Sequence, residues 1–172
     1  MTWRTLILLR HAKSDWSADE ADIARSSARR GRRQAPAAGR WLAANIDRID
    51  LAAVSPASRA RSTWDLVSAR MDVPPRTRID DRVYAASGQE LLTVVRELSD
   101  DVEGVVLVGH NPGIEDLVSL LTGEWAPMHT SAFEVRSRYR ARGRPRVIIQ
   151  QCCGRPASQR DQLPLISTPP AA

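Results

Sequence analysis

Of the three histidines in this 172-residue chain, two stand directly at the end of a short apolar run. "TLILLR" leads into His11, with Arg10 just before it, and "GVVLVG" leads into His110, followed by Asn111 and Pro112. A third apolar run, "DLAAV", ends at Ser55 and opens "SPASRARST", which carries Arg59 and Arg61. The remaining histidine, His129, falls in a loop. In open α/β sheets ligands bind beyond the carboxyl ends of the strands, so groups placed there share a rim. On one rim these residues make a pocket of two imidazoles and two or more guanidiniums. Guanidinium forks match phosphate oxygens bidentately and keep their charge. Phosphoryl transfer needs an in-line nucleophile and stabilised equatorial oxygens, with little other chemistry. A histidine can be that nucleophile and split hydrolysis into two easier steps. Its attacking nitrogen must be unprotonated, which calls for an acceptor at the other ring nitrogen. The sequence does not identify that acceptor.

Taken one at a time, these residues have plainer explanations. A strand-end histidine is more often structural, and Arg61 reads as a solvated charge at a helix start. Lys13, the only lysine among 25 Lys and Arg, reads as a charge on the pocket lip. Short motifs predict chemistry loosely, so it is their joint appearance at three strand ends that carries the functional reading.

The elements that must hold these groups alternate between strand and helix. Residues 5 to 9 have strand length and composition. The polar stretch 11 to 25 reads as a loop. Residues 27 to 44 read as a helix in which Pro36 marks a break or a start. Residues 50 to 54 form a second buried strand, and Pro56 suits the first turn of a helix running to about Arg70. A short strand is expected around Arg76 to Ile79. Ser87 to Glu90 is a capping box ahead of a helical "LLTVVREL". "GVVLVG", residues 104 to 109, is the clearest strand, and Pro112 opens a helix through Leu121. Residues 131 to 135 offer another strand, and "RVIIQQCC" one more. This alternation predicts a three-layer α/β/α protein with a mostly parallel central sheet.

The length fits one domain with a single good core. Hydrophobic content of 42% and charged content of 26% are those of a globular chain. No apolar run is long enough to span a bilayer, and "TLILL" is too short for a signal-peptide core, so a cytoplasmic protein with no membrane association is expected. Cys152 and Cys153 are adjacent and make neither a disulfide framework nor a zinc pattern. The formal charge of +5 is unevenly placed. Residues 1–135 hold 17 Lys and Arg against 19 Asp and Glu, a net of −2; residues 136–172 hold eight Arg and one Asp, a net of +7. Nucleic-acid binding is therefore expected only through the tail.

Four segments in order, "LLRHAKSDWS", "SPASRARST", "DDRVYAAS" and "VLVGHNPGIEDLV", resemble the histidine phosphatase superfamily, with its phosphoglycerate-mutase-like fold. Within it the chain looks most like the SixA branch of small bacterial phosphohistidine phosphatases. The resemblance spans residues 5 to about 135 and implies a histidine phosphatase domain over 1–135. It implies His11 as the nucleophile that becomes transiently phosphorylated, Arg10 and Arg59 as phosphate ligands, and His110 as the second pocket histidine. Ser17 stands where relatives place an Asn near the phosphate. No metal or organic cofactor is implied. The implied substrate is a phosphohistidine-bearing protein. A small-molecule phosphomonoesterase and an inactive phosphate-binding module are the alternatives.

Three departures from the family stand out. The usual Arg-His-Gly is Arg-His-Ala here, with Ala12, as the SixA branch tolerates. Asp81 occupies the nearest match to the Glu that serves mutase-like relatives as general acid, with Asp80 as its competitor. The third departure is residues 136–172, an Arg- and Pro-rich segment unlike the family's ending, read as one last strand and then a disordered tail. Either a shifted reading frame or a basic tail for acidic partners would account for it.

Overall fold

The computed structural model describes residues 4–15, 19–123, 128, 133–139 and 146–151. Their elements follow in the order β1 (Arg4–Arg10), α1 (Arg29–Asn45), β2 (Leu51–Val54), α2 (Ser58–Ser68), β3 (Arg76–Ile79), a 3-10 turn (Asp81–Val83), α3 (Gly88–Arg96), β4 (Gly104–Gly109), α4 (Gly113–Thr122), β5 (Phe133–Tyr139) and β6 (Arg146–Gln151). Six strands form one sheet in the order β3-β2-β4-β1-β5-β6. The first four are mutually parallel, and β5 and β6 add antiparallel at the β1 edge.

The alternation of side chains along the central strands builds two cores, one on each sheet face. Leu6 and Leu8 of β1, Leu51 and Ala53 of β2, and Val105 and Leu107 of β4 face one way, where Leu91 and Val94 of α3 and Ile114 and Leu117 of α4 cover them. The intervening Ile7, Leu9, Ala52, Val54, Val106 and Val108 face the other way, beneath Ala38 and Leu42 of α1 and Ala60, Trp64 and Val67 of α2. The result is the expected α/β/α layering. None of the described helices is long and apolar enough to cross a membrane.

Two prolines behave differently from expectation. Pro36 neither breaks nor starts a helix: α1 runs unbroken through it. A proline inside a helix costs a backbone hydrogen bond and crowds the preceding turn. Here a buried stripe of Gly31, Ala35, Ala38, Gly39 and Leu42 offsets that cost. Gly39 lets α1 approach α2 so closely that an added Cβ would lie 2.2 Å from the Val67 carbonyl oxygen. Pro56 lies outside the first turn of α2, whose N-cap is Ala57. By contrast, the capping box at Ser87 and Glu90 forms as read, and Pro112 caps α4. Strand β5 begins at Phe133 and continues past the change in composition at residue 136, and β6 pairs with it from Arg146 to Gln151. His129, the paired cysteines and the tail beyond 151 lie outside the described residues.

Candidate active site

The register of the central strands sets the two histidines side by side. β1 and β4 pair in parallel from Thr5 opposite Gly104 to Arg10 opposite Gly109. The ladder continues one step further, with His11 N–H donating to the Gly109 carbonyl oxygen at 3.1 Å. His11 and His110 therefore leave neighbouring strands at the same level, with ring centroids 4.8 Å apart and planes tilted by 52°. On the other flank of β4, Ser55 N–H donates to Val108 O at 3.0 Å, which brings Ser55 beside His110. Its Oγ is 2.7 Å from His110 Nε2.

His11 has its missing acceptor in the backbone. Nδ1 lies 2.7 Å from the carbonyl oxygen of Ala12. A carbonyl only accepts, so Nδ1 carries the proton and Nε2 keeps a free lone pair. Burial pushes the His11 pKa down to about 4; the Ala12 carbonyl opposes the shift, and Arg59 and Arg10 add to it. Burial likewise lowers His110 to about 3, helped by His11 and Arg59. Both rings are neutral at pH 7. Ala12 itself is buried, and its N–H donates to Thr63 Oγ1 of α2 at 3.0 Å. Its methyl group faces Gly31 of α1, where an added Cβ would lie 2.7 Å from Ala12 Cβ. Glycine at 31 thus makes room for alanine at 12.

The two arginines stand in different surroundings. Arg10 ends β1 and donates through Nη1 to Met128 O at 2.5 Å, while its Nε is buried without a hydrogen-bond partner. Burial lowers its pKa, and Glu115 partly opposes this. The Glu115 carboxylate also accepts from Met128 N at 2.6 Å, and Asn111 Nδ2 donates to Met128 O at 3.2 Å, so the Met128 backbone is fixed from three sides. Arg59, in the first turn of α2, is buried and faces Asp22, whose Oδ2 accepts from Nη2 at 2.7 Å. Tyr84 OH donates to the same oxygen at 2.8 Å, and the Tyr84 ring stands edge-on to His110 at 5.6 Å.

The "DDRVY" segment divides its labour. Asp80 caps the 3-10 turn and is held by Arg82 and Arg78, and the Arg82 hydrogen bond above all keeps its carboxyl below the usual range. Asp81 is exposed, and its side chain is hydrogen-bonded to neither histidine. Its backbone carbonyl accepts from Tyr84 N at 3.1 Å, so the turn aims Tyr84 toward the pocket. Ser17 lies outside the described residues, and Lys13 and Arg61 are exposed. Sequence reasoning passed over Ser55, Tyr84 and Asp22. The first two lay inside segments already singled out; Asp22 carried no signal beyond its charge. Among the described residues no group of three or more His, Cys, Asp or Glu gathers in a way that could hold a metal ion.

Comparison with known proteins adds to this geometry. A sequence profile described as the histidine phosphatase superfamily (branch 1) matches residues 6–83. An uncharacterized protein of Mycobacterium tuberculosis is 36% identical over 113 residues, which is 66% of this chain and 69% of that one. The solved structure of the protein histidine phosphatase SixA complexed with tungstate has the same fold, with a TM-score of 0.77 at 21% identity over 87% of this chain and 97% of that one. A protein of Agrobacterium tumefaciens assigned as phosphohistidine phosphatase SixA matches with a TM-score of 0.74 at 26% identity, over 86% and 98%. The fold is also that of a mycobacterial glucosyl-3-phosphoglycerate phosphatase, with a TM-score of 0.62 at 18% identity over 86% and 97%.

Proposed function

The chain belongs to the histidine phosphatase superfamily, and on that premise we propose that it is a phosphatase that works through a phosphohistidine on His11. Its preferred substrate is phosphohistidine on a protein, and the chemistry relies on side chains of this chain without a metal ion. The observation that carries this reading is the paired histidines, with His11 Nδ1 tied to the Ala12 carbonyl and Nε2 left as a nucleophile.

In the first step Nε2 of His11 attacks phosphorus. An Nε2–P bond forms, the P–N bond of the substrate breaks, and the leaving imidazole nitrogen takes a proton. Arg10, Arg59 and His110 hold the equatorial oxygens as charge builds on them. In the second step water attacks the phosphoryl group on His11, inorganic phosphate leaves, and the ring returns to its starting form.

Two carboxylates of this region support the substrate preference. Asp80 is paired with Arg82 and Arg78, and Asp22 with Arg59, and both are held below the usual carboxyl pKa, chiefly by those arginine hydrogen bonds. Carboxylates held this way are poor proton donors at neutral pH. A phosphoramidate nitrogen takes a proton from solvent more readily than an alkoxide-like leaving oxygen can do without help. A protein substrate also agrees with the SixA likeness at 26% identity.

The test is hydrolysis of a phosphohistidine peptide and of p-nitrophenyl phosphate, with EDTA present, by the wild type and by His11→Ala. The expected result is turnover of both by the wild type, faster on the peptide, and none by the variant. Faster turnover of small phosphomonoesters would move the substrate class to small molecules. A folded wild type with no turnover would leave a phosphate-binding module.

A further inference from the structure

The pairing of Arg59 with Asp22 sits awkwardly with a role in binding substrate. The Arg59 side chain is 8% exposed, whereas that of Asp22, on the loop before α1, is 51% exposed. Asp22 engages both terminal nitrogens of the guanidinium: Nη2 donates to its Oδ2 at 2.7 Å and Nη1 to its carbonyl oxygen. Tyr84 OH donates to that same Oδ2 at 2.8 Å. Two donors, one from α2 and one from the residue after the 3-10 turn, converge on a single anionic oxygen. They do so beside the histidine pair, since the Tyr84 ring packs on His110. Charge-assisted donors converging in this way are what an equatorial phosphoryl oxygen calls for.

We propose that Asp22 is an internal stand-in for the phosphoryl group: its Oδ2 marks a phosphoryl-oxygen position formed by Arg59 and Tyr84, and substrate reaches that position by displacing the carboxylate. This deepens the phosphatase reading and rests on Arg59 being a phosphoryl ligand.

A carboxylate and a phosphoryl dianion repel each other, so they do not share the position. The loop backbone has no need to leave. Ser58 N–H at the start of α2 donates to Ile23 O at 2.9 Å, and the Asp22 carbonyl keeps its own bond to Arg59. Rotation of the half-exposed Asp22 side chain into solvent is enough. An attached carboxylate also competes at a high effective concentration. An anion that meets Arg59 alone loses to it, whereas a tetrahedral dianion that also gains Arg10 and the histidines prevails. Asp22 thereby selects doubly charged tetrahedral groups over chloride and carboxylates. The arrangement also keeps a buried guanidinium from standing without a counter-charge between turnovers.

The experiment is calorimetric titration of inorganic phosphate into the wild type, Asp22→Asn and Asp22→Ala, with melting curves with and without phosphate. Both variants are expected to bind phosphate about tenfold more tightly, because the share of molecules with Arg59 open no longer limits the apparent affinity. Their melting temperatures should also rise more on adding phosphate than that of the wild type. Tyr84→Phe in the Asp22→Asn background should weaken phosphate by about tenfold, as for a lost hydrogen bond to a charged group. Unchanged or weaker binding by the Asp22 variants would overturn the stand-in role and leave Asp22 as a brace for Arg59. An unchanged Kd for the Tyr84 variant would overturn the placement of the oxygen. If the wild type turns over no substrate and the variants still gain affinity, the stand-in survives and the catalytic reading falls. If the wild type is active and the variants gain nothing, the reverse holds.

Discussion

The two sides of the pocket are built by different means. On the strand side, Arg10, His11, Ser55 and His110 extend from β1, β2 and β4, three adjacent strands of the sheet. Their places follow from ladder hydrogen bonds, such as His11 N to Gly109 O and Ser55 N to Val108 O. On the helix and loop side, Arg59, Asp22 and Tyr84 come from α2, a loop and the residue after a 3-10 turn. Their places follow from side-chain bonds between residues 37 and 62 positions apart. The difference separates rigidity from adaptability. A parallel ladder buried on both faces fixes the nucleophile and its neighbour, whereas a half-exposed carboxylate can move without disturbing the core.

The largest effect should come from the strand side. His110→Ala is expected to lower kcat by about 10²- to 10³-fold, as for other groups that meet charge built up in the transition state. Steady-state kinetics, alongside circular dichroism to confirm folding, would show it. A loss below tenfold would mean that the strand side is not where the charge is met. On the other side, Arg59→Lys keeps the charge and loses the fork. About a 10- to 100-fold fall in kcat/KM is expected. If lysine serves as well as arginine, the convergence on one oxygen has no catalytic weight.

Ser55→Ala tests whether the strand side depends on more than its ladder. Removing the hydroxyl at His110 Nε2 should cost about tenfold in kcat, the effect of one orienting hydrogen bond. A change in KM alone would assign Ser55 to binding instead. The buried histidines should also mark the stability of that side. Their pKa values fall from the usual 6.5 to about 4 for His11 and about 3 for His110. The unfolded chain therefore binds protons that the folded chain refuses. Stability from this source is complete above about pH 6.5 and declines as pH falls toward 4. The paired carboxylates of Asp22 and Asp80, whose pKa values are lowered, stabilise the fold across this range and lose that contribution only below the ordinary carboxyl pKa. Melting temperatures from pH 7 to 4.5 should thus fall more steeply for the wild type than for His110→Asn. Parallel curves would show that the pair is not held neutral by burial.

The smallest effect concerns a feature remote from both sides. Ser87→Ala removes half of the capping box on α3 and should cost about 1 kcal/mol in urea unfolding, with activity untouched. It serves as the reference for what a loss of stability alone does to catalysis.

Much of the strand side is legible in the amino-acid sequence. "TLILLR", "DLAAV" and "GVVLVG" are apolar runs of strand length, and each hands the chain to a polar residue where an open α/β sheet binds its ligands. Gly39 shows why helix α1 is harder to read. Pro36 alone argues for a break, while the small residues that bury the helix act only when α2 is present to meet them. In "DDRVY" the resemblance points to a carboxylate as general acid. In the folded chain Asp80 is committed to the turn, Asp81 faces solvent, and Tyr84 reaches the pocket.

By itself the sequence determined which residues stand at the ends of the central strands, because apolar periodicity and chain direction are local properties. Only the tertiary structure decided three further matters. The Ala12 carbonyl sets the tautomer of His11, Gly31 makes room for Ala12, and Asp22 rather than any residue near Arg59 in sequence holds its guanidinium. The first depends on how the backbone turns after β1. The other two depend on contacts between distant segments, whose partners are settled by packing and by the need of a buried charge for a counter-charge.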